Sequence, residues 1–146
     1  MAATSQVLLL LATALVAGNV RAAESGIHKI PDAPLQALAM TNPHDPVTVD
    51  PAILDKGARI FRTKCQKCHG ELGDGKGPKA ETIEIKPAAF SKPGYLSGRK
   101  DGQLYWIIAN GSPGTEMPAH GPGTDINFTP DEIWQVITYL RRQFTK

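Results

Sequence analysis

The stretch Cys65-Gln66-Lys67-Cys68-His69 decides how the rest of the chain is read. Two thiols three positions apart can each form a thioether to one vinyl group of a single porphyrin. The histidine that follows is carried beneath the ring, where its imidazole can ligate iron. C-x-x-C-H is the signature of covalent haem attachment, and His is among the few side chains that ligate haem iron. Two other readings of C-x-x-C compete, a redox dithiol and half of a zinc site. A zinc site wants further paired ligands, but Cys65 and Cys68 are the only cysteines, and His28, His44 and His120 lack the H-x₃₋₅-H spacing. A thioredoxin-like dithiol wants a βαβ pattern, and the flanking sequence has none. Haem is therefore the reading carried forward.

The chain has 146 residues, 41% apolar and 21% charged, which suits one globular domain. Its formal net charge of +2 is small and mixed in sign, so nucleic acid is not an expected partner. Residues 1–22 read as a targeting segment. The apolar run Val7–Ala17 is too short to span a bilayer but suits a signal-peptide core, and Val20-Arg21-Ala22 offers a cleavage site after Ala22. No cysteine stands at that point, so no lipid anchor is expected. Export and covalent haem agree with each other, and the mature protein is expected in the periplasm.

Residues 23–49 form a Pro-punctuated extension, with a single helical turn expected within Leu35–Met40. Asp50-Pro51 then opens a helix whose Leu54, Gly57, Ala58, Phe61 and Cys65 share one face. Gly57, lacking a side chain, invites another helix to cross there. Gly70–Pro78 holds four glycines and matches no phosphate-binding fingerprint; it is expected to wrap tightly past the haem. A short helix is expected near Ala80–Ile85. Asp101 is a plausible cap for a helix stopped by Asn110-Gly111. Thr129-Pro130 with Glu132 forms a capping box for the last helix, where Arg141 and Arg142 favour the C-terminal dipole end. No strand pattern appears, so the fold class is all-α. Haem iron needs a second axial ligand or an open position opposite His69. The candidates are Met40, Met117, His28, His44 and His120. Met117 is the best placed, in a loop between helices with Pro118 stiffening its backbone, while His120 is treated as a surface or supporting histidine.

Residues 50–146 resemble a class I c-type cytochrome domain of the monohaem, soluble bacterial type. The matching pieces are Gly57, Phe61, Cys65-x-x-Cys68-His69-Gly70, Gly77-Pro78, Asp101-Gly102-Gln103-Leu104, Gly111-x-x-Gly114-x-x-Met117-Pro118, and Trp134 to Arg141. The resemblance implies a cytochrome c fold of three to five helices around one covalent haem c. Cys65 and Cys68 would carry the thioethers, with His69 and Met117 as the two axial iron ligands. It also implies that Trp134 or Tyr139 packs at the crossing of first and last helices. The Pro78 carbonyl would accept from His69 Nδ1, and Trp106, Tyr105 or Arg99 would meet a haem propionate. The implied function is single-electron transfer between a redox donor and an acceptor, such as a dehydrogenase and a terminal oxidase, rather than catalysis. Two alternatives stand beside it: a haem subunit of a larger dehydrogenase or oxidase, and a haem enzyme with a labile Met117. Basic residues outnumber acidic ones between Lys56 and Lys100, including Lys64 and Lys67 beside the thiols, which points to an acidic docking partner.

Overall fold

A computed structural model describes residues 32–145. The expected targeting segment 1–22 and the first part of the expected extension (23–31), His28 included, lie outside those residues. Five α-helical segments and no strand occur among the described residues. They are α1 (Leu35–Leu38), α2 (Pro51–Ile60), α3 (Gln66–His69), α4 (Asp101–Asn110) and α5 (Pro130–Phe144). The all-α expectation holds.

α2 starts where local chemistry says it should. Asp50 Oδ1 accepts from the Ala52 amide at 2.8 Å, and Pro51 fills the first helical position, where no amide is needed. α5 carries the full reciprocal cap: the Thr129 amide donates to Glu132 Oε2 at 2.8 Å, and the Glu132 amide donates to Thr129 Oγ1 at 3.3 Å. These two helices form the main helix pair. They cross at Gly57, where a Cβ would lie 2.2 Å from the Gln135 carbonyl oxygen and 2.8 Å from Tyr139 Cβ. Phe61, almost fully buried, packs on Tyr139 at 5.5 Å and on Phe144 at 5.4 Å between ring centroids. Trp134 instead meets Tyr105 of α4 at 4.4 Å. The core joins Phe61 and Phe90 to Leu96, Leu104, Ile133 and Ile137; burying such side chains contributes about 1.5–3 kcal/mol each.

α2 does not stop at Ile60. It runs on through a π-helical turn, Phe61–Cys65, in which the Gln66 amide reaches back five residues to the Phe61 carbonyl, and then into α3. Thr63 Oγ1 donates to the Arg59 carbonyl at 2.8 Å, occupying backbone acceptors where the ladder widens. α3 ends at Gly70, whose φ of 79° is the left-handed conformation that glycine adopts without strain.

Two expectations are corrected. Asp101 is not the cap of α4; Lys100 is the capping residue, with no side-chain bond, and Asp101 begins the helix with its carboxylate turned to Arg141. The helix expected near Ala80–Ile85 shrinks to one 3₁₀ turn, Ala80–Thr82. Lys86 Nζ caps its carbonyls, donating to Ala80 O at 3.0 Å and Ile83 O at 2.9 Å. The described part of the extension is held against the helices. Ala37 is buried where α4 offers Gly102, and Asn42 Nδ2 donates to Thr138 Oγ1 at 2.9 Å on α5. His44 Nε2 lies 3.0 Å from Asp131 Oδ1, at the start of α5.

Candidate haem site

The π turn and α3 set the two thiols. Cys65 closes the turn and Cys68 lies three residues on, so both project from one side of the same helical run. Both are half-buried and unpaired. Burial, with the neighbouring Cys68 adding to it, pushes the Cys65 thiol up to about 12. Addition of an S–H across a vinyl double bond would form the C–S bond and leave the hydrogen on the other carbon. Among the described residues no group of three or more His, Cys, Asp or Glu side chains converges on a metal-sized site.

His69, 8% exposed, is held from two directions. Its ring stacks on Phe90, with centroids 4.5 Å apart and planes 18° from parallel. Its Nδ1 lies 3.0 Å from the Ala88 carbonyl oxygen, which can only accept, so Nδ1 carries the proton and Nε2 keeps its lone pair. Burial lowers the imidazole's pKa, opposed by the Ala88 bond and reinforced by His120, so the ring is neutral at pH 7. The acceptor is thus Ala88 and not Pro78. The glycine loop explains the difference. It folds back onto the backbone of α3 itself: Gly75 N donates to His69 O at 2.8 Å, Gly77 N to Cys68 O at 3.1 Å and Lys79 N to Lys67 O at 2.9 Å. A Cβ on Gly77 would lie 2.4 Å from the Lys67 carbonyl oxygen, so only glycine fits that approach. Pro78 is left exposed, and the later segment ending in Phe90 reaches the ring instead.

The loop after α4 carries Met117, half-buried. Ser112 N donates to Met117 O at 3.1 Å, and Met117 N donates to Thr115 Oγ1 at 3.1 Å, so both of its backbone groups are fixed. Met40, in contrast, is exposed on the extension, and His44 is engaged with Asp131. His120 is not a surface residue: it is 6% exposed and faces Phe128 at 5.5 Å.

Among the described residues, two buried side-chain nitrogens make no hydrogen bond, His120 Nδ1 and Arg99 Nε. The Arg99 guanidinium sits 3.7 Å over the Tyr95 ring and donates to the Tyr95 carbonyl. A buried, unsatisfied donor costs about 1–3 kcal/mol, more when charged, so an arginine left this way wants an anion. A porphyrin carboxylate meets that need, and Arg99 is the best fitted of the three residues expected near a propionate. Free thiols, a neutral histidine with a free lone pair and two orphaned polar atoms together fit haem c.

The sequence matches the cytochrome c family over residues 54–143, more than half the chain, and the chain belongs to that family. Its cofactor is covalently bound haem c, and the domain is a haem electron-transfer domain. Among relatives, it is 33% identical over 97 residues to cytochrome c-L of Methylorubrum extorquens, an alignment covering 66% of this chain and 43% of that protein. The chain thus spans less than half the length of that curated relative. A solved reducing HAO-like protein complex of Kuenenia stuttgartiensis contains a similar chain, with a TM-score of 0.55 and 26% identity, over 77% of this chain and 50% of that one. The crystal structure of cytochrome CL from Methylophaga aminisulfidivorans shares the fold, with a TM-score of 0.51 and 21% identity over 80% and 72% of the two chains.

Proposed function

We propose that this protein is an exported, periplasmic single-electron carrier in which Cys65 and Cys68 hold haem c and His69 and Met117 are its axial ligands. In this reading residues 1–22 are a cleaved signal peptide and residues 50–146 the cytochrome domain. The observation that carries it is the clamped His69 ring, with Nδ1 given to Ala88 and Nε2 left for iron. When bound, haem c supplies a one-electron ferrous–ferric couple, and thioether ligation raises its potential relative to two nitrogens. Both axial ligands come from segments whose backbones are hydrogen-bonded in place, which favours electron transfer with little rearrangement. No helix among the described residues is long and apolar enough to cross a membrane. The donor and acceptor are redox proteins, a dehydrogenase and a terminal oxidase being the classes that fit. The likeness to a chain of the Kuenenia complex favours a second reading, a haem subunit of a larger oxidoreductase; the size of the native complex separates the two.

The ligand assignment is tested on the ferric holoprotein. It should show the weak long-wavelength thioether-to-iron band, and Met117→Ala should lose it. Persistence of the band in the variant overturns the assignment.

Lys64 and Lys67 are exposed beside the thiols, where charge would guide an acidic partner to the haem edge. Reversing both, as Lys64→Glu with Lys67→Glu, should slow reduction by the anionic donor ferrous EDTA about tenfold at low ionic strength. The difference should fade as salt is raised. Equal rates at low salt would remove the docking role.

A further inference from the structure

Of the two contacts that hold the His69 ring, the hydrogen bond to Ala88 O restrains it less than the stack on Phe90. A carbonyl oxygen accepts over a broad range of directions, and the outer torsion of a histidine side chain has broad wells. One bond at Nδ1 therefore leaves the imidazole a wide arc of swivel about its Cβ–Cγ bond. The parallel ring of Phe90 removes that freedom. With centroids 4.5 Å apart and planes 18° from parallel, a swivel drives one edge of the imidazole into the phenyl face. Phe90 itself cannot yield. It is buried, and its ring is boxed by Phe61 at 6.4 Å, Tyr95 at 6.1 Å and Phe144 at 6.3 Å between centroids. Its backbone is tied as well. The amide of the next residue, Ser91, donates to Gly73 O at 3.0 Å, and Gly73 N donates to Gly70 O at 3.1 Å, directly after α3. The wall and the ring it faces thus hang from the same helical run.

We propose that Phe90 is a positioning residue: it fixes the plane of the His69 imidazole and so selects which edge of the haem couples best to a redox partner. The proposal rests on His69 being an iron ligand, and not on the identity of the ligand opposite. An imidazole donates to iron through the π orbital perpendicular to its own plane. That plane decides which iron d orbital is half-filled in the ferric state, and the orbital spreads onto two opposite pyrroles in preference to the other two. A ring free to turn would average the preference away, and a ring held flat against Phe90 keeps it. Phe61 precedes the thiols on the run from α2, and Phe144 ends α5. The plane is therefore set by the packing of the main helix pair rather than by an exposed loop. Phe90 makes and breaks no bond and carries no charge; its action is steric.

The test uses the assembled ferric holoprotein with cyanide in place of the ligand opposite His69. Cyanide is cylindrical about its bond to iron, so the imidazole plane alone sets the pattern of the four haem methyl proton resonances. The wild-type protein should show them unequally shifted and widely spread. Phe90→Leu fills much of the same space without a flat face. Its preference for the native plane should fall about tenfold, which narrows the spread of the four shifts. Phe90→Tyr keeps the face and should keep the pattern. An unchanged pattern in Phe90→Leu, or a narrowed one in Phe90→Tyr, overturns the proposal and leaves His69 as a ligand. Should Phe90→Leu fail to fold, the ferrous wild-type protein decides: ring protons of Phe90 and His69 should show mutual Overhauser effects, and their absence overturns the proposal. A His69→Ala holoprotein that keeps the wild-type methyl pattern would overturn the ligand assignment, and the proposal with it.

Discussion

Gly57→Ala lowers the melting temperature of the holoprotein by about 8–16 °C, corresponding to a net loss of about 2 kcal/mol. Two opposed effects meet at this position. An alanine is better than glycine in a helix interior by about 1 kcal/mol, so an exposed site would gain stability. Here the new methyl would stand 2.2 Å from the Gln135 carbonyl oxygen and 2.8 Å from both the Gln135 carbonyl carbon and Tyr139 Cβ. None of these is the far end of a flexible side chain, so the strain cannot be relieved by a rotamer change. The axes of α2 and α5 must move apart, and α5 carries Ile133, Val136 and Ile137, all essentially fully buried. Overpacking a core costs about 1–3 kcal/mol, and a clash with backbone belongs at the upper end of that range. The clash therefore outweighs the propensity gain. α2 also leads through the π turn into Cys65, so separation of the two helices shifts the haem-bearing segment. The measurement is a thermal melt followed by far-ultraviolet circular dichroism. A melting temperature that is unchanged or raised would show that the helices do not approach this closely.

That crossing was legible in the sequence because it depends on one absent side chain at a fixed place on a helix face. The same holds for C-x-x-C-H, whose spacing is set by covalent chemistry, and for the caps at Asp50 and Thr129, which act within three residues. What the sequence did not disclose depends on segments distant along the chain. The carbonyl that accepts from His69 is nineteen residues away, at Ala88, and is brought there by a loop that first doubles back on α3. Phe90, stacked on the same ring, is an ordinary apolar residue until the fold sets it there. Thr63 has the composition of an exposed helix position, and only the widened ladder shows what its hydroxyl does. His120 reads as polar in a loop of Gly and Pro, and nothing local says that α4 and Phe128 enclose it. In the candidate site, the motif residues were readable and the groups that orient them were not.

Arg141 is the other case of a role hidden from sequence, and its removal should have the larger effect on stability. As a basic residue in the last turn of α5 it complements the helix dipole, an effect of only about 0.3–1 kcal/mol. Its geometry does more. Nε donates to Asp101 Oδ1 at 2.8 Å, Nη2 lies 2.6 Å from the same oxygen and donates to Arg99 O at 2.6 Å, and Nη1 donates to Leu96 O. One guanidinium thus joins the end of α5, the start of α4 and the Leu96–Arg99 turn that presents Arg99 and Tyr95. The side chains of Arg141 and Asp101 are 15% and 29% exposed, so the pair is only partly screened by water. Breaking a buried pair from one side costs about 3–5 kcal/mol; with Asp101 partly solvated, Arg141→Ala should cost about 3 kcal/mol. Lysine carries the charge but not the planar fork, so Arg141→Lys should recover less than half of that loss. Asp101→Asn should cost less than Arg141→Ala, since the two carbonyls keep their donors. The double-mutant cycle should give a coupling of about 1–3 kcal/mol between the two side chains. Because the turn it braces also holds Arg99, the potential of the haem should shift in Arg141→Ala even at temperatures where the protein stays folded. Guanidinium denaturation followed by circular dichroism supplies the stabilities, and redox titration the potential. A cost within about 1 kcal/mol, the range of an exposed ion pair, together with an unmoved potential, would reduce Arg141 to a surface charge at the end of a helix.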